Sequence, residues 1–429
     1  MNPFNLAPRS LESTLLDWKQ MRPCSYNKCD VDPYTRTRVI LMNGTEFEAN
    51  WFSHQFSRNC DNNDIRRTLA LIRRSEQNQQ KLISLIKPVD ETLLEHTIGY
   101  EQLAVDLTAH LAKKEPDRYV KKALDFALLE DFDHLYRYAD FLDMETGVHA
   151  ENLVGRYTEI MPARPTVSHY RHPYDTVRYS INSKTASPIT RLCVGIITAA
   201  EQQTMNYYMN VCGAYPTDRG RWLYQEIGMV EEQHVTHYGS LMDPSATWLE
   251  NLVMHQYTEA YLYYSAYETE TNPRIRRIWE QLFEQEVAHL QAASEMLCRY
   301  ENKDPRAVVG SDGTFPDVLR LESNIPYVRD VLANSVQMTA CREDYKCVNE
   351  MPGNSDFFRY QQMLNRDLGV VQSHTIIEDY ICQNGEDYRY EVAQNPIPAL
   401  TNRKKDDTKV GRIPGASDAC NLDICIKKH

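Results

Sequence analysis

The chain lacks any run of about 18 apolar residues, so no membrane-spanning helix is expected. Its opening, MNPFNLAPRSLESTLLDWKQ, lacks the basic-then-apolar pattern of a secretory signal, and a cytoplasmic setting is the expectation. Positive charge is not in excess: 47 Lys and Arg stand against 60 Asp and Glu, a formal net charge of −13. A nucleic-acid partner would want a basic face, so none is expected. No two of the eleven cysteines stand at Cys-x-x-Cys spacing, which excludes a zinc knuckle or a rubredoxin loop. Their odd number and the expected compartment argue against a disulfide framework. Three loose pairs remain, CSYNKC (Cys24, Cys29), CREDYKC (Cys341, Cys347) and CNLDIC (Cys420, Cys425), for which a metal or redox role is the lesser reading. Cys193, Cys212 and Cys298 fall in helical patterns and are expected as small buried hydrophobes.

What is present is an ordinary globular composition, 42% hydrophobic and 25% charged over 429 residues, with room for a sizeable core. Residues 1–60 mix Asn, Pro, Arg and aromatics and read as irregular. A helical pattern runs from about Asp64 to Lys87 and stops at Pro88. From Asp90 to about Tyr300 the chain reads as helix, in three hairpins with one long interruption. Beyond that it is rich in Asn, Asp, Pro and Gly, with helical pieces near Pro316–Ser335 and Asp356–Tyr380. The tail NRKKDDTKVGRIPGASDAC reads as extended or wrapped around a partner. The expected division is an N-terminal extension with one helix (1–89), a domain of three helical hairpins (90–301) and a partly helical C-terminal extension (302–429).

The hairpins contain a repeat. Glu101 and Glu201 each open one copy, Pro116 and Pro216 follow 15 residues later, and Asp131/His134 and Glu231/His234 close it. The two copies are offset by 100 residues throughout. A third, shorter hairpin has Glu259, Pro273 and Glu286/His289. The prolines suit the first turn of each second helix and mark the corners. Equal arms put the two acids of a hairpin at one height, roughly 22 Å from the turn. Acid and histidine three residues apart share a helix face. Apolar residues flank them at helical spacing: Ile98 and Val105 about Glu101, Ile227 and Val235 about Glu231, Leu282 and Leu290 about Glu286. The acids therefore point into the core, where something positive must meet them.

One glutamate on a helix and acid-x-x-His on the next, twice over, gives four carboxylates and two imidazoles. That is the ligand set of a carboxylate-bridged dinuclear centre in a helix bundle, and its hard oxygens and imidazoles suit iron or manganese. On these residues the chain resembles the ferritin-like di-iron carboxylate superfamily of ferritins, rubrerythrins and manganese catalases, over roughly residues 90–301. The resemblance implies an all-α fold: an antiparallel helix bundle with a long crossover, here with an extra hairpin and irregular N- and C-terminal extensions. It implies two iron or manganese ions, iron favoured, and oxidoreductase chemistry on peroxide or O₂ of an oxidase, peroxidase or catalase kind, with the metal centre itself as the catalytic group. Asp131 stands where the family usually has glutamate, so this ligand is one methylene shorter. Without a Cys-x-x-Cys pair, any electrons come from a separate donor.

The two-fold relation within such a site needs a long crossover, and about 45 residues from Asp143 to Ser187 join the first two hairpins. Only DPSA (243–246) joins the second and third. The better-founded site therefore uses Glu101, Asp131, His134, Glu201, Glu231 and His234. The third hairpin, with Glu259, Glu286 and His289, either substitutes for the second or pairs with its copy across a dimer two-fold, and the dimer is the expectation.

Blander readings compete. Acid-x-x-His pairs on helices are most often surface ion pairs, although the shared register weighs against this for the first two. The repeat could also have kept its fold and lost its metal. The 27 tyrosines read mainly as packing, with a redox or proton-relay role secondary. His237 is either beside the ligands or exposed; His96, His110 and His255 carry no assigned role. The alternative function is a structural or assembly protein whose long extensions wrap neighbouring chains into an oligomer or shell; iron storage is the weaker one. A homo-oligomer, dimer or larger, is expected in each case.

Overall fold

Each long helix begins where the sequence offers a side-chain cap. Asp32, Asn62, Asp117, Ser187, Thr217 and Asn272 accept hydrogen bonds from first-turn amides, and Thr92/Glu95 and Thr247/Glu250 form capping boxes. The resulting elements are α1 (Pro33–Arg58), α2 (Asn63–Ser84), α3 (Leu93–Lys114), α4 (Arg118–Thr146), the short α5 (Ala150–Leu153), α6 (Pro188–Ala214), α7 (Asp218–Gly239), α8 (Trp248–Thr269) and α9 (Pro273–Glu301). They are followed by α10 (Pro305–Val309), α11 (Ile325–Ser335), the antiparallel hairpin β1 (Met338–Cys341) and β2 (Asp344–Cys347), α12 (Asp356–Leu364) and α13 (Gln372–Asn384). This computed structural model describes residues 1–163, 169–364 and 372–385, with 387, 389 and 397. The expected tail and the Cys420/Cys425 pair lie outside the described residues. The chain is predominantly helical, and no helix among the described residues is long and apolar enough to cross a membrane.

Pro273 occupies the first position of α9 as its spacing predicts, but Pro116 and Pro216 sit one residue outside the caps Asp117 and Thr217. A polar cap directly after the proline takes the N-terminal amides and leaves the ring in the turn.

The N-terminal region differs from expectation more deeply. Residues 33–58, read as irregular, form the 26-residue helix α1, so 1–89 holds two long helices rather than one. The reason is burial on nearly every side. Thr35, Arg36, Thr37 and Arg38 are buried together with Val39, Ile40, Leu41 and Met42. The two arginines are accommodated by ion pairs, Arg36 with Glu91 at 3.2 Å and Arg38 with Glu270 at 3.3 Å. A helix enclosed this way shows no amphipathic stripe in its sequence.

With α1 present the described residues form four long hairpins, arranged as two four-helix groups. One consists of α3, α4, α6 and α7; the other of α1, α2, α8 and α9. The helices α1, α3, α6 and α8 also pack on one another and join the groups. Glycines set this junction. A Cβ on Gly44 of α1 would lie 2.7 Å from Gln203 Cβ of α6, and one on Gly99 of α3 would lie 2.8 Å from Arg36 Cδ of α1. The third hairpin thus finds its partner in α1–α2 of its own chain, and the argument for a dimer-completed site no longer has its premise.

The extensions, as far as they are described, clothe the same chain. N-terminal turns lie on α9, where Arg9 pairs with Glu284 at 3.0 Å. Helix α11 packs on α4, and α13 on α4 and α7. The crossover follows α3, where Thr158 donates to Asp106 at 2.6 Å. Of the helix cysteines only Cys193 is buried; Cys212 is half-buried and Cys298 exposed. Cys24, Cys29, Cys341 and Cys347 are all free thiols.

Gly44→Val would overpack the α1/α6 junction. A loss of about 1–3 kcal/mol is expected, read as a lowered midpoint in chemical or thermal unfolding with helicity retained; an unchanged midpoint would mean the helices have room to part.

Candidate metal centre

Glu101 on α3, Asp131 and His134 on α4, Glu201 on α6, and Glu231 and His234 on α7 converge in the middle of their group, each at most 1% exposed. The structure brings together all six residues of the first two repeats. Their ligand atoms fall into two sets, each closing within 4.8 Å. One is Glu101, His134 and Glu231; the other is Asp131, Glu201, Glu231 and His234. Glu231 belongs to both. Its Oε1 lies 2.9 Å from His134 Nδ1 and its Oε2 3.1 Å from His234 Nδ1. The shorter side chain of Asp131 still reaches the centre, with Oδ1 3.2 Å from His234 Nδ1. Glu201 Oε2 is 3.5 Å from the same nitrogen.

One ring nitrogen cannot serve three carboxylates. Both oxygens of Asp131 and of Glu201, and Glu101 Oε2, are buried without an aligned hydrogen-bond partner, as is His134 Nε2. Buried polar atoms are nearly always paired, so five orphaned carboxylate oxygens in one cluster point to a missing positive partner. The charges reflect it. Burial, then the neighbouring Glu231 and Asp131, holds Glu101 well above the usual carboxylate range. Burial and Glu201 do the same to Asp131, and burial lifts Glu201 to about 7 despite His234. Burial opposes charge on His234, but Asp131, Glu231 and Glu201 outweigh it and hold the ring well above its usual value. Burial likewise opposes charge on Glu231, and the two histidines draw it down to about 2. A buried cluster of carboxylates and imidazoles of this kind could hold metal ions.

Sequence reading missed the groups that aim the ligands. Glu130, next to Asp131 in LLEDFDH, accepts from His234 Nε2 at 2.8 Å and from Arg171 Nη1 at 2.6 Å. Burial would raise Glu130, but Arg171 and then His234 hold it well below the usual range. Only adjacency to Asp131 marked Glu130, and Arg171 comes from the crossover, where no period marks it. Tyr208 of α6 donates to Glu101 Oε1 at 2.5 Å. His237 is fully buried and meets the Tyr345 hydroxyl at 3.2 Å, one helical turn from the cluster. Glu259, Glu286 and His289 are not in this cluster; they lie in the other four-helix group.

Arg171→Leu would leave Glu130 charged and buried without its guanidinium. About 3–5 kcal/mol of destabilisation is expected in thermal or denaturant unfolding; a loss within error would show that Glu130 is neutralised by other means.

The raised groups also set a pH dependence. Folded Glu201, near 7 against an ordinary 4.5, keeps a proton that the unfolded chain releases, so its contribution falls as pH rises between those values. Glu231 is already fully ionised in this window and adds no slope. The metal-free protein should lose unfolding midpoint between about pH 5 and about pH 7.5 more steeply than Glu201→Gln does, because the amide cannot titrate. Equal slopes in the two proteins would contradict this assignment.

Comparison with family models, characterised proteins and solved structures finds no match to this chain. The functional reading therefore rests on the chemistry of the site.

Proposed function

We propose that the α3/α4/α6/α7 cluster is a dinuclear iron or manganese centre, with iron favoured, and that the protein is an oxidoreductase acting on O₂ or peroxide. The observation that carries the metal reading is the pair of ligand sets sharing Glu231, one imidazole in each. Four carboxylates match the charge of two divalent cations, and carboxylate with imidazole is the donor mixture that iron and manganese accept. The redox class comes from the ferritin-like resemblance, which covers these same six residues.

In this reading Glu101, His134 and Glu231 would hold one ion, and Asp131, Glu201, His234 and the shared Glu231 the other. When bound, the metals would supply a Lewis-acidic, redox-active site for a dioxygen species. The protein's own groups do the rest. Glu130 and Arg171 fix the ring of His234 through Nε2, leaving Nδ1 for the centre. The Tyr208 hydroxyl donates to Glu101 Oε1 and so orients that carboxylate. Tyr138, Tyr208, Tyr224 and Tyr238, all fully buried, stand about the cluster and would exclude water from it. Reducing equivalents come from a separate donor.

Metal counted by elemental mass spectrometry tests this. Protein purified without added metal or chelator, or reconstituted with ferrous iron, should carry about two more ions per chain than a Glu231→Ala/His234→Ala variant, and peroxide or O₂ turnover should vanish with them. Equal metal in both proteins would refute the dinuclear centre; the cluster would then serve the fold alone.

A further inference from the structure

The second four-helix group repeats the plan of the first. Glu46 on α1 and Glu76 on α2 stand 30 residues apart, the spacing of Glu101 to Asp131 and of Glu201 to Glu231. Across from them, α8 and α9 bring Glu259 and the Glu286/His289 pair. All four carboxylates and His289 are at most 1% exposed. Tyr263 of α8 donates to Glu46 Oε1 at 2.5 Å, as Tyr208 of α6 donates to Glu101. Gln256 Nε2 lies 2.9 Å from both Glu76 Oε1 and Glu259 Oε2, which fixes those two side by side.

We infer that this group holds a second metal centre, formed by Glu46, Glu76, Glu259, Glu286 and His289, that takes a single manganous or ferrous ion. It is independent of the proposed chemistry at the first centre. Four buried carboxylates are not by themselves a site. What points to a cation is His289: both its ring nitrogens are buried and lack an aligned hydrogen-bond partner, with Nδ1 3.1 Å from Glu286 Oε1. Glu46 Oε2, Glu76 Oε2, Glu259 Oε1 and Glu286 Oε2 are orphaned around it. Carboxylate oxygens with one imidazole suit Mn²⁺ or Fe²⁺ rather than a thiolate-seeking metal.

The stoichiometry follows from Gln79. It occupies the place that His134 and His234 hold in the first centre, three residues after the helix acid, and its amide donates to Glu286 Oε1 at 2.7 Å. An amide supplies no imidazole, so one half of this centre lacks its strongest neutral donor. The ligand atoms also stand wider apart: among the described residues, only the first cluster closes within 4.8 Å. One firmly held ion on the His289 side is the consequence.

A cavity borders this group. His255 lies between Glu48, 3.1 Å from Nδ1, and Glu259, 3.4 Å from Nε2. His255 and Glu48 line a cavity of about 350 Å³ that also touches Thr45 and Thr258. A cation entering there meets Glu48, then His255, then Glu259.

The test loads Mn²⁺ alone, removes excess by gel filtration, and counts metal per chain with circular dichroism as the check of folding. The Glu231→Ala/His234→Ala variant, its first centre disabled, should keep about one ion per chain with the six-line electron paramagnetic resonance signal of an isolated Mn²⁺. Adding His289→Gln, or Glu286→Gln if the former unfolds, should remove that ion. Adding Gln79→His instead should raise the count to about two. A folded first-centre variant that retains no Mn²⁺ overturns the second centre, as does retention unaffected by both His289→Gln and Glu286→Gln. Failure of the first centre reads differently: the wild type and its Glu231→Ala/His234→Ala variant would then hold equal metal, still lost with His289.

Discussion

Burying an anion without a counter-charge is among the costliest things a protein core can do, and this chain buries carboxyl groups repeatedly. The helix α4 shows how the fold answers. Its buried acids are each assigned a partner wherever the chain can supply one: Glu130 has Arg171, Asp133 has Arg137 at 3.1 Å, and Asp140 has Arg389. Arg171 comes from the crossover and Arg389 from the C-terminal extension, so the irregular segments are bound to the bundle by these needs. The same rule ties α1 to the body through Arg36–Glu91 and Arg38–Glu270. Against that background the unpartnered oxygens are informative. The chain can pair buried carboxylates, and at Glu101, Asp131 and Glu201 it leaves oxygens unpaired.

Aiming the imidazoles is the second half of the problem. A histidine among carboxylates turns to whichever oxygen is nearest unless its far nitrogen is held. His234 is held by Glu130, which Arg171 keeps ionised. This linkage runs from the crossover to the centre, and it gives the long connection a purpose beyond spanning the bundle. It also explains why the two histidines differ. His134 has no such carboxylate on its Nε2. The two halves of the centre are therefore unequal in their surroundings as well as in the shorter reach of Asp131.

Much of this was legible in the sequence because it is written as spacing. Helical hairpins with equal arms, acids and histidines on one face, and a proline near each corner are local patterns legible in sequence. The six residues of the first cluster followed from register alone. The misses share a cause. Helix α1 is enclosed by neighbours, its polar residues are satisfied by distant acids, and so its pattern carries no stripe. Glu130 and Arg171 lie 41 residues apart and meet only through the path of the crossover. With α1 unseen, the third hairpin had no partner in its own chain, and a partner from a second copy was the natural substitute.

Once α1 is in place, the molecule is two helix groups built on one plan, and their differences carry more meaning than their likeness. Both groups keep an acid on each of four helices, and both set a tyrosine hydroxyl against the acid on the first helix. They part at one position, in the α1–α2 hairpin. The first group has a histidine three residues after the acid on the second helix of each hairpin, while the second group has His289 on α9 and Gln79 on α2. Glutamine there is not a neutral exchange. Its amide donates to Glu286, where an imidazole in the first group has its nitrogen directed at the centre. Among the described residues, the ligand atoms of the second cluster do not close within 4.8 Å as those of the first do. The glycine-lined junction of α1 with α3 and α6 packs the two groups closely together, and the α1/α6/α8 cavity borders the second cluster at His255, 3.4 Å from Glu259.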